Sequence, residues 1–329
     1  MLLDILMLLG GLALIVKGGD FFVAAAIRLA GFLRMPRVVI GTTLVSLATT
    51  TPELVVSIMA GLHGESALAI GNAVGSCICN IGLILGVTAS IKQVEVHFSA
   101  LRSPLFAMFG LGALLFLLTL DLSLTRWQGG LLLAGGLGYF AWDFWRHWRD
   151  RQPDGLAEAA AIETEKAAAR WAWVQTKAGT VAQFVCGAGI VVAGSRLLVE
   201  GAVGAASKLG VPSIVIGLTV VAVGTSLPEL VTAVTSSRKA VSDLAVGNVL
   251  GANIANLSLI VGAAAVIHDV GMDRLTQLFN FPAMLAVMAL LGWILWTDRR
   301  VTRREGVILL AVYGAYLAAL VGLTIAAGR

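Results

Sequence analysis

Apolar stretches of about 20 residues recur along the chain with brief polar breaks, starting near Leu2, Val38, Ser66, Pro104, Trp127, Thr180, Pro212, Val241, Leu278 and Val307. That length, wound as a helix, spans the hydrocarbon core of a bilayer. The pattern predicts an all-α integral membrane protein with ten transmembrane helices, the first and sixth long enough to overrun the bilayer or lie tilted. No positive charge precedes the first run (Met1 to Asp4), so it reads as a retained helix and not as a cleaved signal. The longest polar break, Trp148 to Lys177, contains "PDGLAEAAAIETEKAAARWAW" and reads as a linker carrying a short surface helix. Residues 1–147 and 178–329 thus form two units of five helices, joined by a linker at 148–177.

Composition narrows this picture. Hydrophobic residues make up 58% of the 329 residues, charged ones 13%, and the mean hydropathy is +0.91, far from the values of soluble domains. With the N-terminus outside, seventeen Lys and Arg fall in the five cytoplasmic connections and four outside, as the positive-inside rule requires. The net charge of +4 therefore speaks for topology, and no basic, aromatic-interleaved patch points to nucleic acid. Trp127, Trp145, Trp148, Trp171, Trp173 and Trp296 fall near span ends, where interfacial anchors belong. Cys77, Cys79 and Cys186 are too few and scattered for a disulfide framework or zinc site and read as packing residues. His63, His97, His147 and His268 read as interfacial. No metalloprotease helix, nucleophile elbow or phosphate loop is present, so an enzyme is not expected. The implied partners are the lipid bilayer and ions; no cofactor or obligate protein partner is evident.

A shift of 176 residues lays "GTTLVSLATTTPELVV" (41–56) over "GLTVVAVGTSLPELVT" (217–232), and "LAIGNAVGSCICNIGLILG" (68–86) over "LAVGNVLGANIANLSLIVG" (244–262). Of the 46 aligned positions from Gly41 to Gly86, 19 are identical. Chance likeness between oily helices would match Leu, Val and Ala, but here Pro52 meets Pro228, Glu53 meets Glu229 and Asn80 meets Asn256. Because each half holds an odd number of spans, the second copy enters the membrane from the opposite side. This inverted repeat is the pattern of secondary transporters with a site near the midplane.

"LATTTPELVVS" (47–57) places a carboxylate in that midplane. Pro52 and Pro228 each remove a backbone hydrogen bond, predicting kinks that free the carbonyls of Ala48 and Gly224. Thr49, Thr50 and Thr51 offer hydroxyls, and Glu53 offers a charge that is costly at this depth unless matched. A hard cation ringed by carboxylate, hydroxyl and carbonyl oxygens would satisfy these groups together. The bland alternative is a kink with a protonated structural glutamate, and the second copy counts against it. Asn72 and Asn248 read equally as helix-bridging or ion-lining; Asp20 and Arg196, equivalent under the shift, read as buried or interfacial paired charges on the long helices and not as transport residues. The glycines at 71, 75, 82, 86, 247, 251 and 262 are expected to allow close helix packing.

"GTTLVSLATTTPE" with "GNAVGSCICN", and "GLTVVAVGTSLPE" with "GNVLGANIAN", resemble the two α-repeats of the cation/calcium antiporter superfamily, in its sodium/calcium exchanger branch. The repeats span about 36–90 and 212–266. The resemblance implies that Glu53 and Glu229 coordinate calcium, with Thr49, Thr50, Ser76, Asn80, Thr225, Ser226 and Asn256, and carbonyls near Ser46 and Ala222, lining calcium and sodium sites. It further implies alternating access and residence in a prokaryotic cytoplasmic membrane. The chain departs from the family pattern where "ANIAN" stands for the common "SNIAD": Asn256 replaces an aspartate and Ala252 a serine. A proton-coupled calcium antiporter is the nearest alternative, followed by a cation channel and a membrane-embedded scaffold or enzyme.

Overall fold

The computed structural model describes residues 2–62, 66–95, 98–149, 172–209, 222–297 and 300–327. Seven helices among them are long and apolar enough to cross a membrane, and an eighth crossing forms if Arg37–Thr49 and Thr51–Ile58, bent by 43°, count as one. Helix Arg126–Arg149, at 24 residues, has the length for another, but its last turn carries Arg146, His147 and Arg149. The run expected from Pro212 starts outside the described residues, as do most of the linker and its expected surface helix; Ala172–Gln175 forms a single 3-10 turn.

In chain order the first half comprises α1 (Leu2–Leu33), α2 (Arg37–Thr49), α3 (Thr51–Leu62), α4 (Ser66–Cys79), α5 (Phe98–Leu118) and α6 (Arg126–Arg149). The second comprises α7 (Lys177–Lys208), α8 (Ala222–Thr225), α9 (Leu227–Arg238), α10 (Ser242–Ala255), α11 (Phe281–Thr297) and α12 (Arg303–Ala327). Helices α4 and α10 run on through π-helical turns, Asn80–Leu85 and Asn256–Ile260, to Ile91 and Ile267. These two are the core: Ile70, Val74, Ile78 and Ile81 of one, and Val246, Val249, Leu250 and Ile254 of the other, are fully buried.

Lipid tails are as apolar as leucine, so helices in a bilayer associate through close backbone approach and polar contacts. Helices α1 and α7 use both. A Cβ on Gly11 would stand 2.6 Å from the Leu198 nitrogen, and one on Gly187 2.8 Å from the Phe22 Cα. One end of the pair is clasped by Lys208 Nζ on Asp4 Oδ2 at 2.5 Å. The other is clasped by a hydrogen bond from Arg28 to Gln183, whose Nε2 donates to the Phe21 carbonyl at 2.8 Å.

Two short antiparallel ribbons tie the halves together. Strand β1 (Val94–Glu95) pairs with β4 (Arg300–Val301), and β2 (Ser123–Leu124) with β3 (Val270–Gly271). The 21-residue α5 leads from β1 to β2, and α11 leads from β3 to β4. The two helices therefore run between the same two ribbons in opposite directions.

Glycines let α2 lie against α10. A Cβ on Gly247 would meet the Val38 carbonyl at 2.3 Å, and one on Gly251 the Thr42 carbonyl at 2.2 Å. Gly82, Gly86 and Gly262 are also tightly packed, whereas Gly71 and Gly75 have nothing within 4 Å. That holds among the described residues; the counterparts of Val38 and Thr42 under the shift, residues 214 and 218, against which these two glycines would pack, lie outside them. Gly251→Ala, which forces two backbones apart, is expected to cost about 1–3 kcal/mol. Thermal unfolding in detergent should show that loss beside a Gly135→Ala that holds or gains stability, since a Cβ there meets nothing within 4 Å among the described residues and helix-interior glycine is less stable than alanine.

Candidate functional site

The prolines do not kink continuous helices as the sequence suggested. The chain breaks just before α3 and α9, at Thr50 (φ −82°, ψ 4°) and Ser226 (φ −90°, ψ 10°), and each proline sits in the first turn of a new helix. There its missing N–H costs nothing, because first-turn N–H groups lack helical partners. Glu53 and Glu229 consequently fall in the first turns, where the helix dipole favours a carboxylate. Both are 1% exposed.

Each glutamate is met by a hydroxyl from the other half. Thr50 Oγ1 lies 3.1 Å from Glu229 Oε1, and Ser226 Oγ lies 3.4 Å from Glu53 Oε1. Thr50 and Ser226 are counterparts under the repeat, so this is one contact made twice. The second oxygens, Glu53 Oε2 and Glu229 Oε2, are buried without a hydrogen-bond partner.

The hydroxyls are oversubscribed. Thr50 Oγ1 also lies 2.6 Å from the Ser46 carbonyl, and Thr49 Oγ1 lies 3.3 Å from that carbonyl and 3.2 Å from Asn248 Oδ1. A hydroxyl has one proton to donate, so each threonine serves one acceptor at a time. Ser46 O, expected to face an ion, also accepts the Thr50 N–H at 2.9 Å.

Asn80 and Asn256 open the π-helical turns of α4 and α10, a local rewinding that recurs at functional sites. Asn80 Nδ2 donates to Asn253 Oδ1 at 2.9 Å, leaving Asn80 Oδ1 buried and unbonded. Both polar atoms of the Asn256 amide are buried and unbonded. Asn253, whose Nδ2 also reaches Met108 Sδ (3.4 Å) and the Cys77 carbonyl (3.5 Å), was not singled out from the sequence. Its repeat counterpart is Cys77, so comparing the halves hides it. Asn248 meets Thr49 directly, favouring its helix-bridging role.

Ser76 is buried one turn before Asn80 on α4. Thr225 is half-buried in the wall of a cavity of about 350 Å³, with Pro52, Pro228, Ser195, Arg196 and Glu200. Ala222 opens α8. Arg196 and Asp20 are both exposed, which corrects the buried half of their expected pairing. Cys77 and Cys79 are buried and Cys186 is exposed. Half-buried His147 lies beside Asp143, while His63 and His97 lie outside the described residues. Among the described residues no three His, Cys, Asp or Glu side chains converge. The site holds two carboxylates and a surplus of oxygen acceptors over protons.

The family model for sodium/calcium exchanger protein matches residues 3–144 and 179–322. The chain belongs to the sodium/calcium exchanger family. Exchangers are transporters, so this integral membrane protein is not an enzyme. It is 31% identical to the sodium/calcium exchanger MaX1 of Methanosarcina acetivorans, over 96% of this chain and 98% of that protein. It is 32% identical to the inner membrane protein YrbG of Escherichia coli, over 97% of each. The solved structure of the sodium–calcium exchanger NCX_Mj superposes with a TM-score of 0.81 at 26% identity, covering 97% of this chain and 99% of that one.

Asn253 and Asn256, three residues apart, should respond differently to truncation in ion-free detergent solution. Asn253→Ala breaks a formed buried hydrogen bond and strands the Asn80 amide, whereas Asn256→Ala removes an amide that has no partner. The first is expected to lower unfolding stability by about 1–2 kcal/mol more than the second, as measured by denaturant titration.

Proposed function

We propose that this exchanger-family chain is a secondary antiporter that moves calcium against sodium by alternating access. Its architecture in this reading is ten transmembrane helices in two inverted five-helix repeats, with the N-terminus outside. The opposed directions of α5 and α11, and the twofold exchange of Thr50–Glu229 for Ser226–Glu53, support the inversion. Calcium binds between Glu53 and Glu229, with oxygens of Thr49, Thr50, Ser76, Asn80, Thr225, Ser226 and Asn256 and the carbonyls of Ser46 and Ala222 serving calcium and sodium.

The observation that carries this reading is the shortage of protons among buried oxygens. Two carboxylates, each with an unbonded oxygen, and two amide oxygens without donors are buried in the protein interior. Like charges buried together are strongly unfavourable unless a cation or a proton intervenes. One divalent ion neutralises both glutamates; two sodium ions do the same, and a third leaves a positive charge. Because Asn256 adds no carboxylate, the charge that sodium ions or protons would neutralise at the ion site is that of the two glutamates. The cavity beside Thr225 gives the site an aqueous approach along α7, and the clasped α1–α7 pair is the moving element, sliding across the core of α4 and α10.

Proteoliposomes loaded with sodium and diluted into sodium-free buffer should take up radioactive calcium, and potassium-loaded vesicles should not. Uptake driven solely by a proton gradient would replace sodium with protons as the coupling ion, and flux without any counter-ion would indicate a channel. Glu53→Gln and Glu229→Gln should each abolish exchange while the protein still elutes as a folded species. Asn256→Asp should change the sodium or pH dependence of uptake more than it changes the melting temperature.

A further inference from the structure

One buried carboxylate plays no part in the ion site. Asp143 on α6 is 1% exposed. Its Oδ2 stands 3.5 Å from Thr42 Oγ1, which already donates to the Val39 carbonyl at 3.0 Å, and its Oδ1 has no hydrogen-bond partner. A buried charge in this condition requires a cation or a proton.

Arg146, which lies over the Trp142 ring at 5.4 Å, adds a favourable charge to Asp143 from a distance without forming an ion pair with it, and Arg37 on α2 pairs with Asp243 of α10 at 3.5 Å. The Tyr139 hydroxyl, one turn back on α6, is neutral and buried. His147 remains: its Nδ1 is 3.6 Å from Asp143 Oδ1 and 2.8 Å from the Asp143 carbonyl, and its side chain is 21% exposed, so it communicates with solvent. Imidazoles as a class exchange protons between about pH 5 and 8.

A short hydrogen-bonded path leads from this pair to the glutamates. Thr42 belongs to the π-helical turn Gly41–Val45 of α2, and its carbonyl accepts Ser46 Oγ at 2.7 Å. The Ser46 carbonyl in turn accepts the Thr50 hydroxyl, which is the group shared with Glu229.

We propose that Asp143 and His147 form a proton-binding site, separate from the glutamate pair and reached from the α6 C-terminal face, whose occupancy sets the geometry of α2. With the proton bound, the imidazolium offsets Asp143 and the Thr42 hydroxyl stays on Val39. When the proton leaves, the unopposed carboxylate takes the Thr42 hydroxyl and strains the π-helical turn one step from Ser46. The binding of the proton stands on this geometry alone; its effect on exchange rests on the transport reading above.

The test uses the full-length protein with Asp143→Asn and His147→Gln. An imidazole that gains a carboxylate partner on folding stabilises the fold at low pH, and the contribution fades as pH rises through the imidazole range. The melting temperature of the unaltered protein should therefore exceed that of each variant by more at pH 6 than at pH 8. A gap independent of pH for both variants overturns the proton site. In calcium-uptake assays across the same range, both variants should lose the same component of the pH dependence of the calcium KM, leaving the component owed to the glutamates. If the full dependence persists, the link to the ion site is wrong; if no variant or parent transports calcium, the transport reading fails while the melting result still decides the proton site.

Discussion

Acceptor oxygens outnumber protons in the buried interior of this protein, and the rest of the structure answers that imbalance. Helix interiors saturate their own backbone, so placing free oxygens within the membrane requires breaking helices there. Thr50 and Ser226 are the breaks, the prolines stabilise the new helices that start beside them, and the two glutamates occupy the electropositive first turns that result. Broken backbone must in turn be walled off from lipid. The buried α4 and α10 do this, helped by glycines that let α2 approach α10 until carbonyls nearly touch Cα hydrogens.

A second theme is reciprocity. The hydroxyl-to-glutamate contact and the ribbon pairing each occur twice with the halves exchanged, as in an isologous interface between separate subunits. The ribbons fix both ends of α5 and α11 and leave them little freedom to slide. The α1–α7 pair is held differently: it is clasped to itself by Asp4–Lys208 and Arg28–Gln183 and is not stitched into either ribbon. A ribbon-tied frame and a separately fastened helix pair are the two bodies on which the proposed alternating access would rely.

Much of this could be read from the residues in order. The 176-residue repeat, with its matching prolines, glutamates and asparagines, points to the helix breaks and to the buried glutamates that each meet a hydroxyl of the other half. What escaped has physical reasons. Asn253 is matched by Cys77, so weighing repeated polar residues passes over it. Asp143 sits in "YFAWDFWRH", where proximity to a span end suggests an interfacial charge, and helical phase, not position, buries it against Thr42. The occupation of the Ser46 carbonyl by two threonine hydroxyls depends on rotamers, which sequence leaves open. The proline breaks resemble kinks in sequence because helix termini inside a membrane run against the usual rule that spans continue.

The ribbons also bear on how the molecule comes into being. Val94 finds its partner in Val301, and Ser123 in Gly271, so neither end of α5 is secured until the second half has been synthesised and inserted. Glu53 likewise waits for Ser226, 173 residues later. During biogenesis the first half must dwell in the membrane with an unmatched carboxylate and unpaired strand edges, a state exposed to quality-control proteolysis and to capture by the wrong neighbour. Selection on this chain therefore acts on a half-built intermediate as well as on the finished exchanger.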